Sequence, residues 1–202
     1  MWGYALYVFS GMIVWEYFAT IMNVSQDALI NAQGYMKQTR IPFFIFQVRT
    51  ATTGLVIFFA GVVGLIALQI AMGRPPPLTT ALLLVPVYFV VLFAFMAPLS
   101  VIMSILGTKF RDLKYITGLA VQALFFLSPV MLVREIFAEG RIAILDWVNP
   151  MAQLIHMFRD PIMDGKFWTL AQVGATFGWI SAFWIFAWIL SAGSGRRIVF
   201  SL

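Results

Sequence analysis

Cysteine is absent from all 202 residues, which excludes disulfides and thiolate metal sites. Histidine occurs once, as His156, so no clustered imidazole site can be built. Charge is scarce as well: 10% of the residues are Asp, Glu, Lys or Arg while 62% are hydrophobic, a balance that cannot furnish the polar shell of a soluble domain. The scarcity is uneven. Residues 75 to 108 and 115 to 133 hold no charged side chain, and a run of roughly 20 apolar residues suffices to cross a hydrocarbon core. Also missing are the phosphate-loop pattern G-x-x-x-x-G-K-[ST] and the zinc pattern H-E-x-x-H, so the chain does not bind ATP in the P-loop manner. No pair of carboxylates is placed to carry protons through a membrane, and the start, MWGYALYVFSGMIVW, lacks the basic residues of a cleavable signal.

What remains reads as an all-α polytopic membrane protein, with mean hydropathy +0.93. The net charge of +5 fits cytoplasmic loops that retain Lys and Arg, and it gives no reason to expect nucleic acid. Five transmembrane helices are expected within one domain, 1–202, at residues 4–24, 44–72, 80–106, 113–132 and 168–190. The chain is organised around Gly107–Lys114, GTKFRDLK, a charged island between two apolar runs that must be a tight turn on one membrane face. Lys109, Arg111 and Lys114, with Asp112 the lone acid, mark that face as cytoplasmic.

Several polar or backbone-breaking features punctuate the spans. Glu16 falls inside the first, where a carboxylate costs roughly 2.5–3.5 kcal/mol, so it is expected to face protein, a polar cavity or an interface. Residues 25–42, SQDALINAQGYMKQTRIP, read as a connector in which Ser25 and Asp27 cap a short amphipathic surface helix, Gly34 stops it and Pro42 forbids its continuation. In the second span Arg49 can snorkel to the headgroups, and Ala60 and Gly64 offer a close helix approach. Pro75, Pro76 and Pro77 make a rigid hairpin after it. Pro86 and Pro98 are each expected to remove a hydrogen bond within the third span and kink it. Ser128-Pro129 should break the fourth near its outer end.

Residues 134–166 form the one long polar region. Ile136–Trp147 and a helix started by Asn149-Pro150 read as an amphipathic pair in the outer interface. Met151, Leu154, Ile155, Phe158 and Ile162 make the apolar stripe, with His156, Arg159 and Asp160 on the other side. In the last span Gly174 and Gly178 offer a contact face, while Trp179 to Trp184 fall mid-span and face a partner or a channel. Counting charges supports the orientation. Lys37, Arg40, Arg49, Lys109, Arg111, Lys114, Arg196 and Arg197 lie inside; Arg74, Arg134, Arg141, Arg159 and Lys166 lie outside, balanced there by Glu135, Glu139, Asp146, Asp160 and Asp164. Five spans with a cytoplasmic C-terminus put the first residue outside, so a further span is expected upstream.

Five stretches, in this order, resemble the transmembrane subunit of ABC-2 type exporters of polysaccharide, O-antigen, capsule or teichoic acid: Gly11–Phe18 (GMIVWEYF), Asn31–Pro42 (NAQGYMKQTRIP), Gly107–Ile116 (GTKFRDLKYI), Phe125–Val130 (FFLSPV) and Asn149–Asp160 (NPMAQLIHMFRD). The resemblance covers nearly the whole chain, apart from the family's interfacial helix and first span. It implies a homodimer working with a cytoplasmic P-loop ATPase that holds ATP and Mg, no cofactor in this chain, and export of a lipid-linked glycan across the inner membrane. It further implies that Asp27, Tyr35, Lys37, Arg40, Lys109, Arg111 and Asp112 couple to the ATPase. Trp15, Phe18, Phe125 and Phe126 would face the channel, and His156 and Arg159 would belong to the outer gate. Two other readings stay open. An exporter of a drug or other small lipophilic substrate would share the coupling features; a membrane enzyme acting on lipids would use Ser128 and His156 as nucleophile and base.

Overall fold

A computed structural model describes residues 2–34, 44–110, 112–131 and 148–194. Among the described residues every regular element is helical. They are α1 (Trp2–Asn31), α2 (Phe44–Ala71), a 3₁₀ turn (Thr80–Leu83) leading into α3 (Leu84–Lys109), α4 (Leu113–Leu127), α5 (Pro150–Arg159), a π-helical turn (Asp160–Asp164) and α6 (Leu170–Ser194). α1, α2, the 3₁₀–α3 run and α6 are each long and apolar enough to cross a membrane. The chain is an all-α polytopic membrane protein. α1 is its hub, packed against α2, α3, α4 and α5, while α6 lies on α3 and α5.

Helix limits differ from the expected spans where a local signal is outbid. α1 runs unbroken through Ser25 and Asp27 to Asn31, past the expected end at residue 24, so neither residue caps a new helix. The Ser25 hydroxyl is instead taken up by Ser100 of α3 at 2.9 Å, and Gln26 Nε2 donates back to the Met22 carbonyl. α4 ends at Leu127 after 15 residues, about 22 Å of rise, short of a 30 Å hydrocarbon core. Ser128 stops it by turning extended (φ −100, ψ 150), the conformation that a following proline demands. Pro86 lies in the first turn of α3, where no intrahelical bond is lost, so only Pro98 interrupts that helix.

Close approach also falls on other glycines than expected. Gly64, Gly174 and Gly178 face nothing within 4 Å, so their small-residue faces hold no helix among the described residues. Gly54 instead lies under the Tyr17 ring, Gly61 against Ile13 and Gly107 against the backbone of Gln26. Lipid tails are as apolar as leucine, so such contacts, with interhelical hydrogen bonds, are what hold the bundle together. An aromatic core of Phe58, Tyr88 and Phe158, with centroids 5.3–6.0 Å apart, joins α2, α3 and α5.

Prolines and tryptophans cooperate. Pro98 cannot donate to the carbonyl four residues earlier, Ala94; the Trp184 indole of α6 donates to it at 3.0 Å. Pro161 likewise frees the Met157 carbonyl, and Trp168 Nε1 occupies it at 2.7 Å. Trp184, expected to face a partner or channel, therefore fastens α6 to α3.

Candidate functional site

The stretches that carry the resemblance gather at two ends of the bundle. At one end α3 closes into the charged turn: Lys109 ends the helix, Phe110 is extended (φ −129, ψ 100) and Leu113 begins α4. Lys109, Asp112 and Lys114 are exposed there. Gly107 presses on the Gln26 backbone, so the last turns of α1, with exposed Asp27 and Asn31, sit beside that turn. Of the expected coupling residues, Asp27, Lys109 and Asp112 thus share one end of the molecule. Tyr35, Lys37, Arg40 and Arg111 lie outside the described residues.

Just inside this end a neutral polar chain ties three helices. Ser25 donates to Ser100, whose hydroxyl donates to the Gln47 carbonyl at 3.2 Å; Gln47 Nε2 donates to Ser104 at 2.9 Å, and Ser104 to the Val101 carbonyl. All four side chains are buried, so every donor needs its acceptor, and each is supplied from within the protein.

At the opposite end the chain builds a buried guanidinium site. Asn149 caps α5 by accepting from the Met151 amide at 3.0 Å, with Pro150 in the first helical position, and its Nδ2 donates to Ser128 at 2.9 Å. α5 is then buried on all sides, contrary to an amphipathic helix in the interface; His156 is 2% and Arg159 4% exposed. The reason lies in what receives Arg159. Its Nε donates to Ser10 (3.0 Å), its terminal nitrogens to the carbonyls of Tyr7 (2.8 Å), Pro129 (2.6 Å) and Val130 (3.0 Å), and its Cζ lies 3.6 Å from the Tyr7 ring centroid. Gly11 leaves the space: a Cβ there would collide with the guanidinium. Next to it buried Asp160 accepts from Gln172 Nε2 at 2.7 Å, joining the π turn to α6. Three of the five resembling stretches, those containing Gly11, Pro129 and Arg159, meet at this one side chain.

The expected channel aromatics take a different position. Trp15 and Phe18 are each 6% exposed and pack on one another (5.2 Å), and Trp15 packs on Phe125 of α4 (5.5 Å). They are consumed in helix packing, with Phe125 half-buried and Phe126 alone largely exposed, at 66%. Ser128 is 1% exposed and accepts from Asn149, a structural use of the hydroxyl. His156 lies two turns, about 10 Å, further along α5 from that cap. Among the described residues no three His, Cys, Asp or Glu side chains group as a metal site.

Two open grooves run between α1 and α2. The outer, about 250 Å³, is lined by Phe9, Met12, Ile57 and Phe58 with the exposed carboxylate of Glu16. The inner, about 330 Å³, is lined by Thr20, Asn31, Arg49, Thr50 and Thr53. Glu16 makes no hydrogen bond or ion pair among the described residues. The resemblance pointed to the aromatics around Glu16; the three- and four-residue recurrence of polar side chains after it, at Thr20, Asn23 and Asp27, is the signal that distinguishes its open face.

No family model matches the chain. It is similar to the O-antigen export system permease protein RfbA of Klebsiella pneumoniae, 25% identical over 162 residues, 80% of this chain and 62% of that protein. It is also similar to the RfbA of Myxococcus xanthus, 24% identical over 157 residues, 77% of this chain and 60% of that protein. A second RfbA of Klebsiella pneumoniae is 23% identical over 162 residues. The chain spans about three-fifths of the length of the curated relatives it matches. These relatives support the resemblance to ABC-2 O-antigen permeases that the five stretches carry.

Proposed function

From the similarity to O-antigen export permeases we propose that this multi-pass chain is the membrane-spanning part of an exporter that moves a lipid-linked polysaccharide across the inner membrane. A separate cytoplasmic P-loop ATPase supplies the energy, holding ATP and Mg, and two copies of the permease enclose the path. The C-terminus is cytoplasmic. The observation that carries this reading is the pairing of the last turns of α1 with the Lys109–Lys114 turn, through Gly107 on Gln26: two stretches expected to receive an ATPase are held as one surface. A push on either would tilt α1 and α3 together, because the Ser25–Ser100 and Gln47–Ser104 bonds join them and α2 into one body.

The experiment is co-purification from native membranes in mild detergent, with export of surface glycan measured in the same strain. A P-loop ATPase should accompany the parent protein and be lost, together with export, from the double variant Lys109→Glu, Lys114→Glu, while the variant stays in the membrane. Undiminished ATPase recovery and export with that variant would reject the docking surface; no ATPase with the parent would reject the transporter reading.

A further inference from the structure

The exposed face of α1 changes character at its middle. Ala5, Phe9 and Met12 lead to Glu16, and from there Thr20, Asn23 and Asp27 continue along the same line. Glu16 to Asp27 is about three turns, returning to within some 20° of the same direction over roughly 16 Å. Glu16, Asn23 and Asp27 are exposed and Thr20 is half-buried. The outer half of the line is apolar and the inner half is polar throughout.

Depth makes this polarity costly unless something wet or polar meets it. α2 runs antiparallel beside α1: Tyr17 donates to the Ala51 carbonyl, Ile13 lies against Gly61, and Ile57, at the middle of α2, shares the groove with Glu16. Glu16 is therefore level with the centre of an apolar helix long enough to span the bilayer. A carboxylate facing lipid there costs roughly 2.5–3.5 kcal/mol, and Asn23, about 10 Å nearer the charged turn, adds to that. Of the line, Thr20 borders the inner groove, where Arg49, Thr50 and Thr53 stand opposite beside apolar Val24, Ala28 and Phe46, so hydrophilic neighbours are present directly below Glu16.

We propose that the Glu16–Asp27 line is the hydrated wall of the export path, a vestibule open toward the end bearing Asp27 and closed at Met12, in which the Glu16 carboxylate accepts hydrogen bonds from hydroxyl groups of a saccharide. This rests on the permease reading given above. The cargo that suits such a wall is rich in hydroxyl donors and carries no dense negative charge beside Glu16. The aromatic face of Trp15 and Phe18, buried against α4, is not the wall.

Because the chain has no cysteine, single cysteines report water directly. Glu16→Cys, Thr20→Cys, Asn23→Cys and Asp27→Cys would be introduced into the full transporter, with Phe59→Cys (58% exposed, apolar) and Val14→Cys (fully buried) as controls. Each is treated in membranes with a charged, membrane-impermeant thiol reagent. Thiolate forms only where water reaches, so the four line positions should react at least about tenfold faster than both controls. Reaction at 16 and 20 no faster than at 59 would overturn the proposal, since lipid or a second copy's helix would then cover the line. Glycan export by the same strains is the second reading. Labelling at 16 or 20 should block it and exposure of the Phe59→Cys strain should not; labelled cysteines with undiminished export would equally overturn the proposal. If the unsubstituted transporter exports no glycan, the permease reading fails on its own account, and the labelling rates still decide whether the line is wet.

Discussion

The two ends of the bundle solve one problem in opposite ways. Near the charged turn, α1, α2 and α3 are joined by a chain of hydroxyls and an amide, all uncharged, in which Ser100 and Ser104 each accept one bond and donate another. At the far end a single cation, Arg159, gathers a serine hydroxyl and three carbonyls from α1 and from the chain after α4. Neutral links are individually modest and redundant, so the inner end can move as a unit and lose one link without falling open. A guanidinium concentrates many bonds in one residue, so the outer end is either assembled or not. On the proposed function, the first construction suits an end that transmits tilt and the second an end that closes.

Removing Arg159 should produce the largest change. Arg159→Met takes the donor from the Pro129 and Val130 carbonyls and from the Ser10 oxygen, while the Tyr7 carbonyl keeps the Ser10 hydroxyl at 2.7 Å; at about 1–3 kcal/mol for each unsatisfied group, partly relieved by relaxation, the loss should be on the order of 3–5 kcal/mol. Thermal unfolding of the purified protein in detergent measures it. Arg159→Lys, with three donors on one point charge in place of a fork, should recover less than half of that loss; full recovery would mean that charge alone holds the outer end. Next in size is Gly107→Ala. The added methyl meets the Gln26 backbone, which cannot swing aside as a side chain can, and overpacking of this kind costs about 1–3 kcal/mol. The readout is a lower melting temperature together with weaker ATPase recovery, since the paired surface is pushed apart.

Ser100→Ala should cost only about 1 kcal/mol, because Gln47 and Ser104 keep their own bond. A loss as large as that of Arg159→Met would abolish the contrast between the two ends. Trp184→Phe uncovers the Ala94 carbonyl, and because the indole's 38% exposure is to lipid, which offers no replacement donor, the loss should again be about 1 kcal/mol.

Legibility in the sequence followed the range of each interaction. The helical membrane class, the charged turn and the Asn149-Pro150 start were readable because each is decided by residues within one turn of one another. The cap signal at Ser25 and Asp27 was local too, yet it lost to Ser100, a partner 75 positions away. Polar His156 and Arg159 opposite an apolar stripe suggested a wet face; Arg159 in fact turns to acceptors at Ser10 and Pro129, supplied by elements that no periodicity can place. Similarly, Gly64 and Gly174 had the right spacing for close packing and no neighbour, whereas Gly54 and Gly107 had a neighbour and no pattern. Trp15 and Phe18 were named through the resemblance, and here their bulk is used in packing against one another and Phe125.

The distance between Arg159 and its partners has a consequence for synthesis. Tyr7 and Ser10 leave the ribosome 149 or more residues before the guanidinium that binds them. At 5–20 residues per second that is a delay of roughly 8–30 s, during which α1 is in the membrane with its outer-end site empty. α5, buried on every side when finished, has no lipid-facing surface with which to wait alone. The Arg159 site must therefore form late, once α6 has been delivered to hold Asp160 through Gln172. A nascent chain halted before residue 159 would be a membrane-inserted bundle with its inner end complete and its outer end unmade.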